Sequence, residues 1–177
     1  MEQIINKVQQ SGIIEINLED YFPEGERVVY DIKENLWQEL ALKEKEFREF
    51  VKNNDWNKYK DKFVALHCSA DAIVPTWAYM LLTVALEPFA KKIVFGDPAS
   101  SAGQALKTLE NILWLESLSK INPENFRDAR VVIKGCSEKC TIPESAYIEI
   151  TRILKPVAKS IMYGEPCSTV PVFKRKE

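Results

Sequence analysis

Residues 67–79, "HCSADAIVPTWAY", return as residues 135–147, "GCSEKCTIPESAY". Both stretches carry Cys-Ser, a five-residue gap, Pro, two residues and Ala-Tyr. Compared without gaps at a spacing of 68 positions, residues 68–100 and 136–168 are identical at 14 of 33 places. Unrelated segments of average composition would share roughly two or three. The identities run from Cys68/Cys136 and Pro75/Pro143 through Tyr79/Tyr147 and Gly96/Gly164 to Ser100/Ser168, so the match is a duplicated unit rather than a short motif.

The text around each copy sets its architecture. "KFVALHC" (62–68) and "ARVVIKGC" (129–136) are apolar runs of strand length that end at the cysteine. "VPTWAYMLLTVALEPFA" and "PESAYIEITRILKPVAK" then read as helices, with Pro75 in a first turn, where its missing N–H costs nothing. "KKIVFGD" and "SIMYGE" are the strands that follow, and "GQALKTLENILWLESLSK" is a helix between the copies. Strands alternating with helices predict an α/β domain with a mainly parallel sheet. Each copy, over 62–100 and 130–168, is read as a right-handed βαβ crossover. A pseudo-two-fold axis would set the first strands side by side, in the order 2-1-3-4. Cys68 and Cys136 would then leave neighbouring strands roughly 5 Å apart in backbone. That is the switch point where open α/β sheets bind ligands.

Residues 1–61 read as a small α+β extension to a Rossmann-like domain over 62–177. Residues 1–10 suit a short amphipathic helix, with Ile4, Ile5 and Val8 on one side. "GIIEINLEDYF" and "ERVVYDI" are β-prone runs separated by the turn "FPEGE", and a helix is expected over the later part of 34–54.

Cys167 follows the last strand and replaces Ala99 of the first copy, so duplication does not account for it. Cys68, Cys136 and Cys167 are therefore the candidate metal ligands, with Cys140 as a further donor. Thiolates select zinc, copper(I) or iron–sulfur clusters. Strand-end loops leading into helices also favour the thiolate. Against this stands packing, because free cysteine is among the most buried residue types. No CxxC pair strengthens the metal reading. Ser69, Ser137, Ser168 and Thr169 are candidate cofactor contacts, binding an anion at helix N-termini through hydroxyls and amides. No Gly-rich phosphate loop accompanies them. His67, the single histidine, reads as a supporting or surface residue, since neighbours on a strand point to opposite faces. Tyr79 and Tyr147 read as helix–sheet packing.

The charge balance of 24 Lys and Arg against 26 Asp and Glu offers no bulk attraction to nucleic acid or membrane. The start lacks the apolar run of a signal peptide, and "WAYMLLTVALEPFA" is too short to span a bilayer. A cytoplasmic protein is expected, with no membrane or nucleic-acid partner.

"LHCSADAIVPTWAYMLL", "RVVIKGCS", "SIMYGEPCSTVP" and "DYFPEGERVVYDIK" together resemble a bacterial family, domain of unknown function family 2480, over nearly the whole chain. "KSIMYGEPCSTVP" is the most specific part, and Cys68, Cys136 and Cys167 stand on its motifs. The resemblance implies no activity of its own. It does imply iron–sulfur assembly proteins as partners, through the gene neighbourhood of that family. Three readings follow. The expected one is an accessory or assembly factor that binds a metal or cluster, iron–sulfur or zinc, through the three cysteines. The others are a thiol-dependent redox enzyme using Cys136 or Cys68, and an interaction module with inert cysteines. A homodimer through the N-terminal strands is expected, because "GIIEINL" leaves an open edge.

Overall fold

The strands form from short runs rich in β-branched and aromatic residues. These are β1 (Ile13–Asn17), β2 (Arg27–Asp31), β3 (Phe63–His67), β4 (Lys92–Phe95), β5 (Arg130–Lys134), β6 (Ser160–Glu165) and β7 (Ser168–Lys174). The helices are α1 (Glu44–Asn53), α2 (Thr76–Leu86), α3 (Ala102–Leu118) and α4 (Glu144–Leu154). The structure, a computed structural model, describes residues 12–96, 101–135, 140–165 and 168–176. The helix expected over 1–10 lies outside the described residues.

Two mainly parallel sheets form, in the orders β2-β3-β4 and β1-β5-β6-β7. This replaces the expected single sheet of order 2-1-3-4. β2 and β4 take both edges of β3, while β1 and β6 take both edges of β5, so neither first strand has an edge left for the other. The N-terminal segment thus supplies one parallel strand to each sheet. Ile13 pairs with Arg130, and Arg27 pairs with Phe63. β3 is buried at all five positions, as expected of a parallel strand covered on both faces.

The chain divides into two compact units, a central one (Glu24–Ile112) and a terminal one (Met1–Pro23 with Leu113–Glu177). In the central unit α1 lays Phe47 and Val51, one turn apart, onto a core of Tyr30, Trp56, Val64, Leu66, Ala78, Leu82 and Leu86. The Trp56 indole donates to the Val51 carbonyl at 2.8 Å, so this large ring is buried with its polar atom satisfied. In the terminal unit Ala146, Ile150 and Leu154 of α4 pack with Val131, Ile133, Ile161 and Trp114.

The two units share a turn ahead of their central strand. Asp55 and Asn122 each cap a short 3-10 turn, accepting from the amides of Asn57 and Glu124. Asp61 and Asp128 follow at φ 60 and 57. Their amides donate to the carbonyls of Phe89 and Val157, both at 2.9 Å.

β7 was not anticipated from the sequence, which read residues after "SIMYGE" as a tail. Pro171 argues against a strand, but β7 lies at the sheet edge, where a missing N–H is tolerated. It pairs antiparallel with β6, with an irregularity between Ile161 and Met162. Gly164 makes the hairpin feasible: its φ is +118, and a Cβ there would meet the Ser168 carbonyl oxygen at 2.6 Å. Among the described residues no helix is long and apolar enough to cross a membrane.

Candidate functional site

The carboxyl end of β3 gathers most of the chemistry-bearing side chains of the central unit. β2 and β3 are in parallel register with Asp31 opposite His67, so both sheet strands deliver a polar residue to the same rim. His67 is fully buried rather than at the surface, as is Cys68. The β3 residues Val64 and Leu66 anchor this end in the core.

Asp31 caps the 3-10 turn after β2, and its Oδ1 accepts from the Lys33 amide and the Ser69 amide, each at 3.0 Å. Burial works against ionisation of this carboxyl. The Ser69 hydroxyl, the two amides and the neighbouring His67 outweigh it and hold Asp31 below the usual carboxylate range. The Ser69 amide, expected to meet an external anion, is thus spent on an anion that the chain itself provides.

Cys68 Sγ donates to the Ala70 carbonyl at 3.5 Å. Burial pushes its thiol up and outweighs the opposing Ala70 backbone contact, while the weaker effects of Asp31, upward, and Lys33, downward, follow. The strand-end position therefore does not favour the thiolate at Cys68, contrary to the sequence expectation. Desolvation beats whatever the following helix contributes. Tyr79, on the first turns of α2, is pushed up to about 12 by burial and then by Cys68 and Asp31. Its ring meets Phe95 edge-on at 5.0 Å. Beside it opens a hollow of about 540 Å³ lined by Ala72, Ile73, Val74, Thr76, Tyr79 and Phe95.

At the carboxyl end of β5, in the terminal unit, Lys134 bridges Glu15 at 2.8 Å and Glu165 at 3.1 Å. The Glu15 contact, then Glu165, raises the lysine above its ordinary value. The next residue, Gly135, receives a hydrogen bond on its carbonyl from the Tyr147 phenol at 3.0 Å. Tyr147 stands edge-on to Tyr163 at 5.7 Å. These rings border a hollow of about 560 Å³ between α4 and the β6–β7 hairpin, lined by Ile133, Tyr147, Ile148, Thr151, Tyr163, Val170 and Val172. Tyr79 and Tyr147 do pack between helix and sheet, but each also borders an open hollow.

The remaining expected site residues fall as follows. Cys136, Ser137 and Cys167 lie outside the described residues. Cys140 is half-buried against the terminal core. Ser168 and Thr169 sit in β7, not at a helix N-terminus, and Thr169 Oγ1 donates to Met162 Sδ at 3.8 Å. β3 and β5 belong to different sheets, so the ladder does not set the residues after them side by side. Among the described residues no group of three His, Cys, Asp or Glu side chains is placed to hold a metal. Sequence reasoning missed Asp31, whose signal was an acidic residue ending one β-run. It missed the hollows too, which depend on β7 and on what α2 and α4 leave uncovered.

The fold and these rims define an α/β protein of two mainly parallel sheets. One strand end carries a buried, protonated thiol beside an internal carboxylate, and an aromatic-bordered hollow opens beside each sheet. The chain belongs to the protein family of unknown function DUF2480, whose family model matches residues 2–175. No curated protein and no solved structure matches it.

Proposed function

We propose that the protein is an accessory factor that binds a protein partner at the hollow between α4 and the β6–β7 hairpin. One observation carries this reading. Ile148, Tyr163, Val170 and Val172 keep 69%, 41%, 62% and 53% of their surface exposed around a hollow with no charged residue in its lining. Contiguous exposed apolar surface marks interaction sites. Burying one such side chain fully is worth about 1.5–3 kcal/mol. A cleft between a helix and a strand pair suits the apolar face of a partner helix. The packing of Cys68 supports a structural role for that residue and speaks against a redox enzyme working through it.

A metal or iron–sulfur cluster held by Cys136 and Cys167 is the second reading, with a cluster-assembly protein as the partner. What supports it is that β5 and β6 are parallel neighbours with Ile133 opposite Tyr163, and that in the sequence Cys136 and Cys167 each stand two positions after the last residues of these strands, Lys134 and Glu165. The shared turns before β3 and β5 support, in turn, the reading of residues 62–100 and 130–168 as copies of one duplicated unit.

The test uses immobilised protein in extract of the native cells, with bound proteins quantified by mass spectrometry. A partner retained by wild type and lost from Ile148→Asp and Val170→Asp is the expected result. Equal retention by all three would refute docking at this hollow. Anaerobic purification with iron, zinc and sulfide assays decides the second reading. Stoichiometric metal lost in Cys136→Ser and Cys167→Ser supports it, and metal-free protein removes it.

A further inference from the structure

We propose that the partner helix docked between α4 and the β6–β7 hairpin is acidic at one end, and that this end lies over the turn joining α4 to β6. This rests on the docking assigned above and names the chemistry of what docks. Both walls of the hollow carry the same charge polarity. On α4, Ile148 and Thr151 line the hollow. The same stripe, at steps of three and four residues, starts at Glu144 and ends at Lys155. On the hairpin, Tyr163 and Val170 line the hollow and stand opposite each other. That ladder has Glu165 at one end, opposite Ser168, and Lys174 at the other, opposite Ser160. Tyr147, near the start of α4, meets Tyr163, near the end of β6, and only residues 155–159 join the end of α4 to the start of β6. Glu144 and Glu165 therefore share one end of the hollow, and Lys155 and Lys174 share the other. All four are exposed.

The basic end is the less compensated of the two. At the acidic end Lys134 already bridges Glu165 and Glu15. At the basic end Arg175 donates to Asp128 at 2.6 Å and to the carbonyls of Val157 and Ala158 at 2.6 and 3.1 Å, which pins the end of β7 to the turn. A recess of about 290 Å³ opens there, lined by Asp128, Lys159, Arg175 and Lys176. Asp128 is the one carboxylate in that lining, and Arg175 meets its charge. Lys155 and Lys174 pair with no carboxylate among the described residues. The chain as a whole has a net charge of -2, so this positive end is a local feature. Such a rim attracts carboxylates and sets the direction in which a partner docks. A nucleic-acid backbone lying along the hollow, or a flat anionic membrane, would meet Glu144 and Glu165 as well as the lysines, and like charges in contact are costly. A segment acidic at one end only avoids this. At a helical rise of about 1.5 Å per residue, Glu144 and Lys155 stand roughly 16 Å apart. The occupant that fits is a helix of about three turns, with an apolar stripe followed by Asp or Glu over Lys155 and Lys174.

Immobilised protein in extract of the native cells tests this, with the retained protein identified by mass spectrometry, purified and titrated. Wild type is compared with Ile148→Asp, with Lys155→Glu and Lys174→Glu combined, and with Lys45→Glu, an exposed lysine of the central unit. The dissociation constant should rise roughly tenfold or more in the double variant and stay put in Lys45→Glu. For wild type it should rise with salt, a readout that needs no substitution. A carbodiimide, which joins an amine to a carboxylate touching it, should couple Lys155, Lys174 or Lys176 to Asp or Glu of that protein. Circular dichroism verifies the fold of each variant. Binding lost in Ile148→Asp yet indifferent to the double variant and to salt overturns this inference and leaves the docking intact. Retention indifferent to Ile148→Asp, or a wild type that retains no protein, refutes the docking and this inference with it. Retention abolished by nuclease, or flotation of the protein with phosphatidylserine vesicles, assigns the lysines to phosphates or to a lipid surface and overturns it as well.

Discussion

Replacing Gly135 by alanine tests how the terminal hollow is built. A Cβ on this residue would land on the Tyr147 phenol oxygen, with ring atoms Cζ and Cε1 only 2.5 and 2.6 Å away. The tyrosine must then leave the strand end. Its hydrogen bond to the Gly135 carbonyl is worth about 1 kcal/mol. Its edge-on contact with Tyr163 adds about 0.5–1.5 kcal/mol. Forcing extra volume into a packed site costs about 1–3 kcal/mol, partly the same energy counted again. A net loss of about 3 kcal/mol is expected, which lowers the melting temperature by about 6–12 °C for a chain of this size. Urea unfolding followed by tryptophan fluorescence reads it out, as a double-mutant cycle with Tyr147→Ala. In the Tyr147→Ala background the clash is gone, and Gly135→Ala should cost under about 0.5 kcal/mol. Because Tyr147 lines the hollow, partner retention should fall with Gly135→Ala as well. An equal cost in both backgrounds would show that the glycine serves its own backbone and would refute this reasoning.

Two further outcomes concern the rim of β3. Asp31 is held below the usual carboxylate range, so its contribution is complete above the unfolded value of about 3.9 and disappears as pH falls through the lower folded value. Asp31→Asn should cost about 1–2 kcal/mol at neutral pH, and urea midpoints below pH about 4 should fall less steeply for it than for wild type. Parallel acid profiles would contradict this. Cys68 is raised, so its contribution is complete below the unfolded thiol value of about 8.5 and is lost as pH climbs through the folded one. Wild type should therefore weaken at alkaline pH by an amount that Cys68→Ala abolishes. Iodoacetamide should reach the Cys68 peptide only after unfolding, and rapid labelling of folded protein would disprove a packed, protonated thiol.

The elements of both repeat copies were legible because periodicity and run length are local. "KFVALHC" became β3 and "ARVVIKGC" became β5, while the helices after each cysteine begin beside Pro75 and Pro143. Even "GIIEINL" and "ERVVYDI" were read as strands. Their partners were not legible. Pairing depends on which edge is reached first in three dimensions, and Ile13 finds Arg130 far along the chain. β7 was hidden by Pro171, whose meaning changes at a sheet edge. Of the site, the sequence singled out Cys68 and Ser69, but not the Asp31 carboxylate that occupies the Ser69 amide.

By itself, then, the sequence determined two similar strand–helix–strand stretches and the cysteines after their first strands. These follow from composition and spacing along the chain. Only the tertiary structure decided that two sheets form, that Cys68 stays protonated, and that Ile148, Val170 and Met80 face outward. Each of those depends on desolvation and on the neighbours that folding brings from distant positions. Local patterning carries no record of either.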